Sequence, residues 1–286
     1  MITIDQIRQR VNGLPSIPAS VMALTEIAAN ELSGVEDVYR VLEKDPALSS
    51  GVLRLANSPL LAADNPICDL RTAIQRLGMD NIISMSRGVA VIRNFKVGES
   101  LDVMSLWQHS TSVGLTAKAV CELLKCTYES ESAFLAGLLH DIGKIALDRC
   151  FQEYYKPVLK AVKAGEIELL KAEAELLGIT HDEVGAQVAI QWNFPEKIID
   201  VIRYHHCPKR GDFLSNLIHY SDLLVRTRLP LYPLDQNLVL SLDSDEGFKE
   251  MISGAVGAIP DLEYLTFRID DEVDRAIAFV QQAYQD

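Results

Sequence analysis

From Ala19 onward, apolar residues recur every third or fourth position and almost nowhere every second, which commits the chain to helices packed on helices. ASVMALTEIAAN, Ala19 to Asn30, sets Val21, Leu24, Ile27 and Ala28 on one face behind Pro18, a residue suited to a helix start. SGVEDVYRVLEKDP follows with Val35, Val38, Val41 and Leu42 on one stripe, Ser33 placed to cap it and Pro46 to close it. Pro46 also opens the next helix, and DLRTAIQRLG ends another on Gly78. MDNIISMSRGVAVIRNF is a further long apolar helix. Strand alternation is confined to LVLSL, Leu238 to Leu242. The expected fold is all-α, with a helical N-terminal half packed beside a second helical half.

A break falls at KVGESL, Lys96 to Leu101, and all six histidines lie beyond it. A chemistry-free scaffold next to a site is the reading this asymmetry supports. The expected division is a helical unit over 1–98, a site-bearing unit over 99–228, and a loop with closing helices over 229–286. The net charge of −13 and the lack of a basic cluster argue against nucleic acid and against an anionic membrane surface as partners. No leader-like start and no spanning apolar run are seen, and the five cysteines are scattered and never CxxC. These features point to a cytoplasmic protein with reduced thiols.

AGLLHDIGKIAL, Ala136 to Leu147, places an imidazole and a carboxylate at the end of an apolar helix. Burying an unpaired charge costs several kcal/mol, roughly, and a bound cation would remove that cost. In this reading Gly143 ends the helix and Lys144 follows the turn, either holding a phosphate oxygen or standing in solvent. His109 falls near the buried stripe of LWQHSTSVGLTAKAV, so its ring should point inward. Thr180 and Glu183 have capping-box spacing, which makes His181 the first residue of a helix. FPEKIIDVIRYHH carries Ile198, Ile199 and Ile202 down one face to His205 and His206, and LSNLIHYSDLLVRT carries Asp222 one turn after His219. Several helices thus bring imidazoles and carboxylates to one interior. That donor set suits one or two transition-metal ions, Fe, Mn, Zn, Ni or Co, better than Ca or Mg. Two such ions bridged by Asp141 would form the usual apparatus for phosphoester hydrolysis. A polar core cluster is the plainer alternative, and His219 reads as a supporting residue.

HDIGK, with an upstream histidine and a downstream helical aspartate, resembles the HD superfamily of metal-dependent phosphohydrolases. LPSIPASVMALTEI, EKDPALSSGVLRLANSP, ICDLRTAIQRLGMDNI, LLHDIGK, THDEVGAQVAIQWNFPEKIIDVIRYHH and LIHYSD, in that order, are similar to the HDOD domain, a bacterial signalling relative. The resemblance implies an N-terminal helical half, an HD-like half and a role in signal transduction. It implies that His109, His140, Asp141 and Asp222 correspond to the minimal HD ligands. His181, His205 and His206 correspond to the extra histidines of the HD-GYP relatives that hydrolyse cyclic-di-GMP. The chain departs from HD-GYP in having CPKRGDF after His206, and in having Ser105 where some three-metal relatives carry a carboxylate. Three functions follow as expectations. One is a regulatory domain that binds metal and engages a signalling protein or a small phosphorylated ligand. Another is a metal-dependent nucleotide or cyclic-dinucleotide phosphohydrolase, with Asp141 bridging and Lys144 steadying phosphate. The third, O₂ chemistry at a di-iron pair, has no feature of its own in its favour.

Overall fold

The computed structural model describes residues 2–14, 18–30, 32–57, 67–94, 100–125, 130–192, 194–207, 210–229 and 262–284. Every regular element among them is a helix, as the apolar spacing requires. The strand expected at Leu238–Leu242 and the thiol of Cys126 lie outside the described residues. None of the described helices is long and apolar enough to cross a membrane, and the four described cysteines carry free thiols.

The chain divides into two compact units. One comprises Pro15–Lys96 and Arg275–Asp286, the other Met1–Leu14 and Val97–Asp274. The sequence reading grouped the first fourteen residues with the helices that follow them. Here α1 (Ile4–Val11) instead belongs with the histidine-bearing unit, where Ile2 N–H donates to the Leu177 carbonyl and Arg10 donates to that of Cys150.

The first-named unit holds α2 (Ala19–Ala29), α3 (Val35–Glu43), α4 (Pro46–Ala56), α5 (Leu70–Leu77) and α6 (Met79–Asn94). Val21, Leu24, Val38, Leu42, Val52 and Ile74 fill its core. Ser33 does not cap α3. Gly34 takes that place, because the Asp37 carboxylate three residues on accepts from the Gly34 N–H. Gly78 closes α5 at φ +85°, a conformation that favours glycine.

The histidine-bearing unit continues with α7 (Val103–Leu123), α8 (Ser130–Leu139), α9 (Ile142–Cys150), α10 (Gln152–Lys163), α11 (Leu169–Leu176), α12 (His181–Gln191), α13 (Glu196–Tyr204) and α14 (Phe213–Arg226). The last helix, α15 (Leu262–Tyr284), begins in this unit and ends in the other. α7 is buried almost all round, which explains why it is apolar or small on every face. One local expectation fails. The helix carrying His140 stops at Leu139, and a new helix starts directly after Asp141. Gly143 and Lys144 are therefore inside the first turn of α9, and Lys144 is wholly buried.

Candidate metal centre

Two close helix crossings set the positions of the first ligands. Where α7 passes α8, a Cβ on Gly114 would lie 2.6 Å from the Phe134 carbonyl oxygen, and one on Gly137 would meet the Gly114 backbone. Only hydrogen fits at either position, and this contact lets His109 of α7 approach His140 at the end of α8. Where α9 passes α12, a Cβ on Gly143 would collide with the His181 carbonyl oxygen, and one on Gly185 would press on the Gly143 amide. That second crossing brings Asp141, at the N-cap of α9, beside His181, the first residue of α12.

Thr180 N–H donates to Glu183 at 3.1 Å, so the capping box opens α12 where its spacing placed it. α13 delivers His205 at its C-cap with His206 next, and α14 delivers Asp222. His109, His140, Asp141, His181, His205 and Asp222 are each at most 1% exposed, while His206 is partly exposed.

The donor atoms form two groups, Asp141 with His181, His205 and His206, and His109 with His140 and Asp222. Within each group they lie inside 4.8 Å of one another. Asp141 stands between the groups. Its Oδ1 is 3.3 Å from His181 Nε2 and 3.7 Å from His205 Nε2. Its Oδ2 is 3.3 Å from His140 Nε2 and 3.8 Å from His109 Nε2. His109 Nε2 also lies 3.0 Å from Asp222 Oδ1, and the Nε2 atoms of His181 and His206 are 3.0 Å apart. The structure thus brings together all seven residues that the sequence reading proposed as ligands, and Lys144 Nζ reaches Asp141 Oδ2 at 2.6 Å.

The far side of three of the rings is already anchored. Nδ1 of His140 lies 2.6 Å from the Gly137 carbonyl, that of His205 lies 2.9 Å from the Ile202 carbonyl, and that of His181 lies 2.7 Å from Glu173 Oε2. A carbonyl or carboxylate accepts only from an N–H, so each of these three rings carries a proton on Nδ1 and turns Nε2 inward. Sequence reasoning missed two supporting residues, Glu173 and Arg226. Glu173 sits eight positions before His181 on an amphipathic helix with nothing to mark it. Arg226 is one turn beyond Asp222 and holds both its oxygens, Nη2 to Oδ2 at 2.9 Å and Nε to Oδ1 at 3.1 Å. A basic residue four places after an acidic one was the available signal. His219 has the supporting role expected of it, with Nδ1 2.6 Å from the His205 carbonyl.

Burial works to raise the pKa of Asp141, yet its interactions with His140, Lys144 and His181 hold it well below the carboxylate range. Asp222 behaves alike, its burial outweighed by Arg226 and His109. Desolvation lowers His205 and His206, and neighbouring imidazoles push the same way. His181 is the exception. Desolvation opposes its charge, but Glu173 and the Asp141 hydrogen bond lift it to about 9.

The residues present fit a metal. His140 Nε2, His205 Nε2 and Asp141 Oδ1 are buried with no geometrically sound hydrogen bond among the described residues. Such atoms cost roughly 1–3 kcal/mol each when left without a partner, and more when charged. They are also lone-pair donors aimed at one another, which a cation satisfies and a hydrogen-bonded core does not.

Known proteins share this framework. A crystal structure of an HDOD domain protein of unknown function from Geobacter sulfurreducens is 24% identical, with a TM-score of 0.85 covering 98% of each chain. That of a candidate phosphohydrolase from Shewanella amazonensis SB2B is 24% identical, with a TM-score of 0.76 covering 97% of this chain and 98% of that one. An uncharacterised protein of Treponema pallidum (strain Nichols) is 21% identical over 224 residues, 77% of this chain, which spans only 44% of that relative's length. At these identities the structures speak for the fold alone. The HDOD domain profile matches residues 14–208, which take in most of the first unit, α7 to α13 and six of the seven donor residues. With that match over more than half its length, the chain belongs to the HDOD domain family.

Proposed function

We propose that the chain is a bacterial signal-transduction domain whose histidine-bearing unit holds one or two transition-metal ions, Fe, Mn, Zn, Ni or Co, in a structural and regulatory role. His109, His140, Asp141, His181, His205, His206 and Asp222 are the proposed ligands. The observation that carries this reading is closure: six of the seven are at most 1% exposed. Lys144, itself buried, already donates to Asp141 Oδ2 and so faces the donor atoms rather than an open cleft. Ions in both donor groups would tie together six helices, α7, α8, α9, α12, α13 and α14. A signalling protein is the proposed partner, with a small phosphorylated ligand as the alternative. The charge of −13 speaks against nucleic acid and anionic membranes.

The second reading is a metal-dependent phosphohydrolase acting on a nucleotide or cyclic dinucleotide. It is favoured by the place of Asp141 between two donor groups. Metal ions held there would activate water and polarise a phosphoryl oxygen. Asp141 and Lys144 would then be the catalytic residues, the first bridging and the second steadying phosphate.

The deciding experiment is metal analysis by mass spectrometry on untagged protein and Asp141→Ala, followed by turnover assays with nucleotides and cyclic dinucleotides. Bound transition metal, lost in the variant, with no turnover is the expected result. Robust turnover abolished by Asp141→Ala would replace the regulatory reading with the enzymatic one. Metal-free protein throughout would remove both.

A further inference from the structure

Glu173 lies outside the donor groups, yet its carboxylate is wholly buried and fully engaged. Oε2 accepts from the His181 backbone N–H at 2.9 Å and lies 2.7 Å from His181 Nδ1. Oε1 accepts from the Tyr155 hydroxyl at 2.9 Å, and Tyr155 is itself sealed from solvent. The local fold explains how a residue of α11 reaches the first residue of α12. The N–H groups of Leu177 and Gly178 fold back onto the Glu173 carbonyl, and Gly178 takes φ +77°. This turn closes α11 and aims its last inward-facing carboxylate at the start of α12.

A helix cap is the ordinary explanation for a carboxylate at such a place, but α12 already has one in Thr180 and Glu183. The contact with the His181 ring is additional. A carboxylate behind an imidazole fixes the proton on Nδ1, fixes the ring's rotation and makes Nε2 a better donor. Nε2 of His181 is the atom that faces both Asp141 and His206.

Building on the metal-centre reading above, we propose that Glu173 is the positioning residue of the His181 ligand, and that Tyr155 holds Glu173 in register. The carboxylate touches no metal. It acts through His181 and transmits the packing of α10 and α11 to the centre.

The test pairs two readouts on the full chain: zinc affinity by chelator competition, and the ring proton on His181 Nδ1 by NMR in metal-free protein. Glu173→Ala should weaken zinc binding about 10–100-fold and abolish the slowly exchanging Nδ1–H signal. Glu173→Gln, which keeps an acceptor, should retain the signal and recover part of the affinity. Tyr155→Phe should fall between wild type and Glu173→Ala. Zinc affinity unchanged in folded Glu173→Ala, or a persisting Nδ1–H signal, would overturn the proposal and leave Glu173 a capping residue. Should Glu173→Ala not fold, an affinity and a signal both unchanged in Glu173→Gln and Tyr155→Phe would overturn it equally. Wild type that takes no zinc would sink the metal-centre reading, and the Nδ1–H signal alone would then decide the role of Glu173.

Discussion

Lys144 Nζ sits 2.6 Å from Asp141 Oδ2, with both side chains closed to water. Three residues apart across the first turn of α9, they make a buried ion pair in the middle of a set of metal donors. Removing one partner of such a pair costs roughly 3–5 kcal/mol, because the other is left charged and buried. Lys144→Met should lower the melting temperature of metal-free protein accordingly. A divalent cation supplies the missing charge, so adding zinc should recover more stability in the variant than in wild type. Calorimetry with and without zinc checks this; equal zinc effects in the two proteins would count against a cation at Asp141.

The two donor groups should be separable. His205→Ala removes a donor from one group and leaves His109, His140 and Asp222 intact, so metal content should fall without vanishing. His140→Ala should act in the same way on the other group. Asp141→Ala, which faces both, should lower content most. A single-ion centre would show itself as total loss in all three variants.

Gly143→Ala should be among the most damaging small substitutions in the chain, since the added methyl would strike the His181 carbonyl. Overpacking against backbone costs about 1–3 kcal/mol or more, and here it also parts Asp141 from His181. Gly34→Ala is the control: its Cβ would meet nothing within 4 Å. Comparing the two by thermal denaturation and metal content tests whether the crossing of α9 and α12 sets the centre.

A pH effect belongs to the other unit. Both terminal nitrogens of Arg71 donate to Glu36, and this hydrogen bond holds the Glu36 pKa below 4.5. A carboxylate depressed on folding adds stability above its unfolded pKa and loses it as pH falls through the folded one. Glu36→Gln should therefore be less stable than wild type near neutrality, with a gap that closes as acid protonates Glu36 in the folded protein. A gap independent of pH would assign the effect to packing.

Helical periodicity made the all-α fold legible, and the capping spacing of Thr180 and Glu183 located the start of α12. The seven residues were legible only in company, since a lone histidine on an apolar stripe is usually a core residue and here several helices each bring an imidazole or a carboxylate inward. Other features depended on contacts between distant segments. Nothing in LLKAEAEL marks Glu173 among its acidic neighbours, since what distinguishes it is the turn at Gly178 that follows. Lys144 read as either a phosphate-holding or a solvated residue, because the helix break that turns it inward onto Asp141 has no mark in the sequence. The helix break at His140–Asp141 leaves no proline or capping serine in the sequence. Ser33 gave way to Gly34 because an aspartate three residues on can close the same turn.

The paired glycines at Gly114–Gly137 and Gly143–Gly185 alter what an intact centre means across relatives. Counting histidines and aspartates is the natural way to sort such domains into metal-competent and metal-free. A relative that kept every donor but carried alanine at Gly143 would hold its helices too far apart to use them, and the count would misclassify it. If the centre is as proposed, competence is written partly in side chains that must be missing, so a sound criterion scores the absent methyl groups of Gly114, Gly137 and Gly143 together with the seven proposed donors.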